Sequence, residues 1–573
     1  MDNILYEPGN QQARQQAPGS ESMLEDQPSQ HDSAAMSTAS ILQERRQRYG
    51  PNTSLNYSEP LHLVRGRGCY LYDAEGQEYL DCVNNVAHCG HAHPKVAAAV
   101  SQQLHTLNTN SRYLHSGLTQ YTRALISTMP PELQVLYMVC SGSEANDLAL
   151  RVAAAARPGA THVVVMGGAY HGHTGALIQL SPYKFWGKGG GGKASHVHVI
   201  PCPDPYRGEH LDGGAAARAA IAEARAAGGR VCAFFAESIL SCGGQVVMPP
   251  GYLKAVYEEM RREGAVCVAD EVQCGFGRVG CAFWGFQTQQ VVPDIVTMGK
   301  PMGNGYPVAG VVMRRELAAA FDNGMEYFNT CGGSTAQAAA CLAVLHTTWA
   351  EGLQQQAEQV GHHLLRRLQQ EVVPAYPCVG DARGLGLMLG LDCVVDKGSK
   401  AHAPCVARWL KERCKARRVL LSCDGPYDNV VKMKPPLVFG LAEADRLVGC
   451  ISAVLREELT PGTWASLMAA EGQAWALLYG PRMALYRTNA AQLGLLTQTI
   501  VTNTTAAEEA RAAALQASLS LPADTRCEYG PSKGLAEQPQ EAFIQLYAAA
   551  GAAEGSAGSE VGGAHGGGPR PRL

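Results

Sequence analysis

The stretch that decides the fold is residues 264–300, GAVCVADEVQCGFGRVGCAFWGFQTQQVVPDIVTMGK. Residues 265–269 are a short, valine-rich apolar run that ends at Asp270, as a buried strand of a parallel sheet does. A second apolar run, residues 294–298, ends just before Lys300. Because α/β proteins bind ligands at the carboxyl ends of their parallel strands, the pattern predicts that Asp270 and Lys300 lie at one edge of a sheet.

A lysine in this position is chemically unusual. Lys300 follows an apolar strand and stands between Gly299 and Pro301, and lysine is rarely buried without a partner. A desolvated lysine loses part of its proton affinity and becomes a nucleophilic amine that can form a Schiff base. Pyridoxal phosphate requires such a lysine for its aldehyde and a carboxylate, here Asp270, for its ring nitrogen. Either residue alone is more simply a surface charge on a loop, but the pair with its flanking residues predicts a pyridoxal phosphate site.

Two segments carry a family resemblance. ADEVQCGFGR, residues 269–278, and PDIVTMGKPMGNGYPVAGVV, residues 293–312, resemble the signature of the class III pyridoxal phosphate-dependent aminotransferases of fold type I. Within that family the sequence is most similar to the phospho-lyases that act on ethanolamine phosphate and 5-phosphohydroxy-lysine. The resemblance implies an α/β fold with a large domain around a mostly parallel seven-stranded sheet and a smaller α/β domain built from both chain ends. It also makes Lys300 and Asp270 the catalytic pair.

Composition and resemblance together predict the domain organisation. The resemblance spans about residue 41 to about residue 459, and the segments outside it are rich in Gln, Ser and Pro at the start and in Gly at the end. We expect a disordered tail over 1–40, the small domain over 41–92 and 346–459, the large domain over 93–345, a helical extension over 460–525 and a mostly disordered tail over 526–573.

Charge and cysteine usage limit the partners and the compartment. The net charge of −4 provides no basic surface for nucleic acid, and no apolar run is long enough to span a membrane. None of the 19 cysteines forms a C-x-x-C pair, which favours a reducing compartment. The N-terminal segment contains several acidic residues and is not Arg-rich, so it fits a mitochondrial presequence poorly. We expect a cytoplasmic protein, with mitochondria as the alternative location.

A candidate phosphate site follows the apolar run of residues 135–139. Ser141, Gly142 and Ser143 open a helix, where free backbone N–H groups and the helix dipole attract an anion. Many helices begin with a serine, so the motif alone is weak evidence. The resemblance implies that these three residues bind the phosphate of the cofactor.

The resemblance implies further cofactor contacts on other strands. Tyr170 corresponds to the residue that stacks on the pyridine ring, and His171 follows it directly. Glu237 corresponds to a glutamate near cofactor and substrate, and Gln273 to the residue that bonds the phenolic oxygen of the cofactor.

The resemblance also implies a shared site between subunits. Thr330 corresponds to a threonine that reaches across a dimer to the phosphate bound by the other subunit, so we expect a homodimer or a dimer of dimers. The sequence departs from the family pattern nearby, since Cys331 replaces an aromatic residue and Ser334-Thr335 replace Asn-Pro.

Candidate substrate contacts come from the phospho-lyase resemblance. Asn84 and Tyr113 lie in loops that face the substrate in that family, and Arg383 corresponds to the family's carboxylate-binding arginine. We expect the substrate to be a small phosphorylated amine or amino acid. Lys432 and Lys434 are interpreted as solvated strand residues.

One possible metal cluster is rejected. His88, Cys89, His91 and His93 are close in sequence, but their spacing matches no standard zinc pattern, and Pro94 begins a helix immediately afterwards. We expect no metal site.

The functional hypothesis is a pyridoxal phosphate-dependent phospho-lyase that releases phosphate and ammonia from a phosphorylated amino alcohol, with ethanolamine phosphate favoured. One alternative is an aminotransferase that passes an amino group to pyruvate or glyoxylate. Another is an inactive homologue that serves as a binding protein. Elimination is possible where the carbon next to the amine-bearing carbon carries phosphate, because the carbanion can then expel it.

Overall fold

The computed structural model describes residues 36–474, which divide after His62 into two compact units. In the first unit, described over residues 36–62, helix α1 spans Thr38–Arg48. The Ser37 side chain caps this helix by accepting a hydrogen bond from Ser40 N at 3.2 Å. The remaining parts of the predicted tails and extension, residues 1–35 and 475–573, lie outside the described residues.

The second unit, described over residues 63–474, alternates strands and helices. Its strands are β1 (Leu63–Arg67), β2 (Tyr70–Asp73), β3 (Glu78–Asp81), β4 (Leu133–Val139), β5 (His162–Met166), β6 (Val197–Ile200), β7 (Val231–Glu237), β8 (Val266–Asp270), β9 (Ile295–Met298), β10 (Ala309–Arg314), β11 (Val379–Leu385), β12 (Met388–Cys393), β13 (Val419–Leu420), β14 (Ser422–Asp424) and β15 (Val430–Met433). Its helices are α2 (Pro94–Thr106), α3 (Ser116–Ile126), α4 (Gly142–Ala156), α5 (Pro182–Phe185), α6 (Gly213–Ala226), α7 (Tyr252–Glu263), α8 (Arg315–Phe321), α9 (Thr335–Ala350), α10 (Leu353–Arg367), α11 (Pro404–Ala416), α12 (Leu441–Glu458) and α13 (Pro461–Ala474). None of the helices within residues 36–474 is long and apolar enough to cross a bilayer.

The predicted seven-stranded sheet is confirmed. Its strand order is β4-β10-β9-β8-β7-β5-β6, and β10 alone runs antiparallel to its neighbours. Every residue of β7, β8 and β9 is buried, because helices cover both faces of the sheet. Neighbouring β7 residues alternate between the faces: Phe234 packs with α6 and α7, and Phe235 packs with α4. This double cover explains why the central strands are continuous apolar runs.

Two four-stranded sheets lie outside the large sheet, in the orders β1-β2-β3-β13 and β11-β12-β15-β14. The parallel pairing of β3 with β13 places Leu80 opposite Val419. Strands from early and late in the described chain therefore share one sheet, as expected for a smaller domain drawn from both ends.

The helix predicted after residue 460 is present as α13. Trp464 and Leu467 pack against a core that includes residues of α10, α11 and α12. Glu471 is 2% exposed and accepts a hydrogen bond from Cys405 N at 2.7 Å, in the first turn of α11. An acidic side chain at a helix start satisfies free N–H groups and the helix dipole.

Candidate functional site

Asp270 ends β8 and is only 3% exposed. Its Oδ2 accepts hydrogen bonds from Asn146 Nδ2 and His171 Nδ1, both at 2.8 Å, and its Oδ1 accepts one from Val272 N at 3.1 Å. Asn146 is itself held in place, because Thr297 Oγ1 donates to its Oδ1 at 2.7 Å. Residues from β8, β9, α4 and the loop after β5 thus fix one carboxylate at the sheet edge.

The surroundings of Asp270 fit a cationic ring nitrogen. Within residues 36–474, no lysine or arginine forms an ion pair with this carboxylate, whose recorded pairing is with His171. A buried carboxylate is costly unless hydrogen bonds or a positive charge stabilise it, and an ionised one can accept about four hydrogen bonds. Three are in use. Nε2 of His171 is also buried and has no hydrogen-bond partner among residues 36–474, so polar capacity remains beside Asp270.

Lys300 lies at the same edge, in a 3-10 turn Lys300–Gly303 that follows β9. The preceding Gly299 lies so close to Gly142 that a Cβ at Gly299 would stand 3.4 Å from Gly142 Cα. A Cβ at Gly142 would in turn stand 3.0 Å from the Val272 methyl groups. The turn that carries Lys300, the start of α4 and the segment just after β8 therefore meet at one point.

The start of α4 has the features of an anion site. The Ser141 side chain caps the helix by accepting a hydrogen bond from Glu144 N at 3.2 Å. No atom of the described chain accepts a hydrogen bond from Gly142 N or Ser143 N, the first two N–H groups of the helix. Ser143 Oγ accepts from His173 N at 3.1 Å, which leaves its hydroxyl hydrogen able to donate. These groups fit a phosphate.

Glu237 ends β7 directly beside Asp270 in the sheet register. Its oxygens accept hydrogen bonds from Tyr170 N and Ser241 N, each at 3.1 Å. Burial, reinforced by the charge of Asp270, raises the pKa of Glu237 to about 7. The hydrogen bond to Glu237 fixes the backbone of Tyr170, whose side chain is half-buried. Tyr170 and Glu237 thus both lie near Asp270.

Gln273 accepts hydrogen bonds from two side chains that the sequence did not place at the site. Its Oε1 accepts hydrogen bonds from Lys434 Nζ at 3.0 Å and from Asn85 Nδ2 at 3.3 Å. The interpretation of Lys434 as a solvated strand residue is wrong, since it is 2% exposed. Lys432 is also not freely solvated, because its Nζ donates to Asp424 Oδ1 at 2.9 Å. These partners are far apart in sequence, so periodicity could not reveal them.

The two neighbouring asparagines differ in their contacts. Asn84, the predicted substrate contact, donates from Nδ2 to Asp81 Oδ2 at 2.9 Å, which stabilises its own loop. Asn85 instead reaches Gln273 and is 7% exposed. The structure therefore joins Asn85, rather than Asn84, to the residues around the candidate site.

Two predicted site residues lie on the surface of the single chain. Tyr113 is 68% exposed, and Thr330 is also exposed. Next to Tyr113, the guanidinium of Arg112 stacks on Phe328 at 3.8 Å from the ring centroid, and it pairs with Glu326 at 2.9 Å. The segments that carry Tyr113 and Thr330 thus touch each other, while both named side chains face outward from this chain.

Arg383 is already engaged by protein groups. Its Nη1 donates to Asp381 at 3.0 Å and to Asp392 at 2.9 Å, and its Nε donates to Gly244 O at 3.0 Å. Arg207 shares Asp392, at 3.1 Å from its Nη1. The two carboxylates raise the pKa of Arg383 against the effect of burial, which keeps it charged. Its role in binding a substrate anion stays a prediction, and any such anion would share it with these aspartates.

The side chains of the rejected metal cluster make separate contacts. His88 Nε2 donates to Phe276 O at 2.8 Å, whereas His91 Nε2 pairs with Asp81 Oδ2 at 2.6 Å. In the part of the chain that the structure describes, no group of three or more His, Cys, Asp or Glu side chains is arranged to hold a metal ion.

One missed residue did have a signal in the sequence. Asn146 follows Ser141 by five positions in the helix-opening motif, on the helix face that packs on the sheet. A polar side chain on a buried helix face requires a hydrogen-bond partner, and here that partner is Asp270.

The chain resembles known proteins over most of the residues that the structure describes. A family model described as "Aminotransferase class-III" matches residues 53–455. The Drosophila melanogaster protein "Alanine–glyoxylate aminotransferase 2-like" is 46% identical, covering 77% of this chain and 92% of its own. The Caenorhabditis elegans protein "Ethanolamine-phosphate phospho-lyase homolog 1" is 40% identical, covering 70% of this chain and 89% of its own. A solved structure described as a phospholyase from Arthrobacter in complex with phosphoethanolamine is 40% identical, with a TM-score of 0.69, covering 73% of this chain and 99% of that one.

Proposed function

Because the chain belongs to the class III aminotransferase family, whose members depend on pyridoxal phosphate, we propose that it is a phospho-lyase that eliminates phosphate and ammonia from a phosphorylated amino alcohol. The observation that carries the proposal is the 40% identity with the Arthrobacter phospholyase, almost all of whose chain is matched. Since that protein is described in complex with phosphoethanolamine, ethanolamine phosphate is the favoured substrate, ahead of 5-phosphohydroxy-lysine.

The residues that converge at the sheet edge support the proposed cofactor contacts. Asp270 would face the ring nitrogen, the start of α4 would hold the phosphate, and Gln273 would donate to the phenolic oxygen. The groups that would hold the cofactor are Ser141, Gly142, Ser143, Tyr170, His171, Glu237, Asp270, Gln273, Lys300 and, from a second subunit, Thr330. When bound, pyridoxal phosphate supplies an electron sink that stabilises negative charge on a substrate carbon.

Lys300 would act as the general base. Its amine removes a proton from the substrate carbon that bears the nitrogen. If the adjacent carbon carries phosphate, the electron pair left behind forms a carbon–carbon double bond and the carbon–oxygen bond to phosphate breaks. Addition of water then releases an aldehyde and ammonia. Asn146 and His171 would contribute by holding Asp270 in place and keeping water from it.

An aminotransferase is the second candidate. The Drosophila relative, at 46% identity, bears an aminotransferase name. The groups described around Asp270 and Lys300 serve both reactions, because proton removal from the same carbon begins each of them. The two reactions differ in whether a keto acid is needed to complete the turnover.

One assay distinguishes the candidates. The cofactor-loaded protein is incubated with ethanolamine phosphate or 5-phosphohydroxy-lysine, without any keto acid, and phosphate and ammonia are both measured. We expect equimolar release of the two products, and none from the Lys300→Ala protein. Absence of release, together with amino transfer from a plain amino acid to pyruvate or glyoxylate, would establish the aminotransferase instead. A protein without either activity, and whose absorbance shows no Lys300-dependent bound cofactor, would be a binding protein.

A further inference from the structure

The backbone at Lys434 and at the residue after it is fixed by hydrogen bonds. It follows β15, and its N–H donates to Cys82 O at 2.8 Å. The carbonyl of the next residue, Pro435, accepts a hydrogen bond from the buried side chain of Arg278. The position of the Lys434 side chain is therefore determined by contacts to both the small-domain and large-domain parts of the chain.

The Lys434 ammonium is buried and hydrogen-bonded. Its Nζ donates to Ser241 Oγ at 2.5 Å and to Gln273 Oε1 at 3.0 Å, and it lies 3.6 Å from Asp424 Oδ2. Burial lowers the pKa of Lys434 to about 8, while Asp424 opposes the shift. Lysine is rarely buried without a partner, and here the partners are Ser241, Gln273 and Asp424.

This ammonium decides which way the Gln273 amide points. An ammonium group has three donors and no acceptor, so only the oxygen of the amide can face it. Asn85 Nδ2 donates to the same oxygen at 3.3 Å. The two N–H bonds of Gln273 must then point elsewhere, and no atom of residues 36–474 accepts a hydrogen bond from Gln273 Nε2. Because the Gln273 side chain is partly exposed, these N–H groups are free to donate to solvent or to a bound group.

We propose that Lys434 is a positioning residue, which orients Gln273 so that its N–H groups face the cofactor. The inference rests on the proposed contact between Gln273 and the phenolic oxygen. The terminal torsion of glutamine is broad and roughly two-fold, so without Lys434 the amide could turn its oxygen toward the cofactor. If Gln273 Oε1 faced the phenolic oxygen of the cofactor, the two oxygens would repel each other. The charge on Lys434 would therefore affect the affinity for the cofactor through the orientation of Gln273.

The test is a double-mutant cycle on the full-length protein. Lys434→Met removes the donors at similar side-chain volume, and Gln273→Leu removes the amide. The dissociation constant of pyridoxal phosphate is measured for both single variants and for the double variant, together with the pH midpoint of the visible absorbance of the bound cofactor. We expect each single change to weaken binding about ten-fold and to shift the midpoint. The double variant should bind no more weakly than Gln273→Leu alone.

The matched control is Lys432→Met. Lys432 is a neighbouring lysine whose hydrogen bond goes to Asp424 and not to Gln273, so the loss of cofactor affinity should be clearly smaller than in Lys434→Met, although both lysines face Asp424. Additive losses in the cycle, or a lower Tm for Lys434→Met with unchanged binding and midpoint, would overturn the proposal. If Gln273→Leu binds pyridoxal phosphate as tightly as wild type, Gln273 does not contact the cofactor and the proposal for Lys434 is also wrong. If Lys434→Met does not fold, Lys434→Leu, which also has no donor, gives a second cycle judged in the same way.

Discussion

At the scale of single residues, the charge of Asp270 is the feature on which the proposed chemistry depends most. Its three hydrogen bonds come from Asn146, His171 and Val272, and no lysine or arginine of the described chain neutralises it. The carboxylate is therefore available to stabilise a positive ring nitrogen, while its position is fixed by uncharged amide groups and an imidazole.

Asp270→Asn tests this charge. The amide keeps nearly the same shape but cannot hold a proton on the ring nitrogen, and a charge-assisted hydrogen bond contributes about 1.5–3 kcal/mol against about 1 kcal/mol for a neutral one. We expect the variant to bind pyridoxal phosphate and to lose at least about ten-fold in kcat. Cofactor content from absorbance and kcat from phosphate release check this. A wild-type kcat would contradict the assignment.

Glu237 should make stability depend on pH. Its pKa is about 7 in the folded protein, compared with an ordinary 4.5, because of burial and the charge of Asp270. Between these values the folded state holds a proton that the unfolded state releases, so the contribution to the free energy of unfolding is full below pH 4.5 and is lost as the pH rises through about 7.

Glu237→Gln removes this dependence. We expect the Tm of the cofactor-free wild type, relative to the variant, to fall as the pH rises from 5 to 8. The corresponding change in the free energy of unfolding should not exceed about 3 kcal/mol. Thermal scans of the two proteins at matched pH measure the difference. A Tm difference that is constant over this range would show that Glu237 is already ionised at pH 5.

At the scale of elements, the start of α4 joins cofactor binding to the packing of the sheet. A Cβ added at Gly142 would stand 3.0 Å from both methyl groups of Val272, so Gly142→Ala must displace either Val272 or the helix start. We expect the affinity for pyridoxal phosphate to fall about ten-fold with a small change in Tm. Gly175→Ala is the matched control, because a Cβ there has no neighbour within 4 Å. Equal cofactor affinity in the two variants would contradict a phosphate site at this helix start.

At the scale of the whole molecule, we propose that Thr330, which is exposed on the single chain, completes the site of a second subunit, as its correspondence to the family's threonine implies. Mixing Lys300→Ala with Thr330→Ala subunits tests this. If Thr330 acts across the dimer, both lesions fall at one site of the heterodimer and the other site is intact. We expect activity to return on mixing, to about half that of wild type per heterodimer, while each variant alone is inactive or strongly impaired. No recovery, with heterodimers shown to form, would place Thr330 in the site of its own chain.

The sequence pattern alone predicted buried parallel strands, the position of Asp270 and Lys300 at one sheet edge, and the helix start at Gly142, and the structure has each of these. These features are encoded locally: apolar runs define strands buried on both faces, and polar residues at their ends must meet at one sheet edge. The resemblance added the family, the seven-stranded sheet with its smaller domain, and the other predicted cofactor contacts. Asn146 could also have been found, because it lies in the same short motif on a buried helix face.

Only the tertiary structure decided which polar groups support these residues. Lys434 and Gln273 are 161 positions apart, Asn85 and Gln273 are 188 apart, and Lys434 was expected to be solvated because a lysine on a short strand usually is. The aspartate partners of Arg383 are only 2 and 9 positions away, yet they too were not foreseen, because the sequence does not show where these side chains point. Burial and hydrogen bonding depend on which distant segments are brought together, and local pattern does not contain that information.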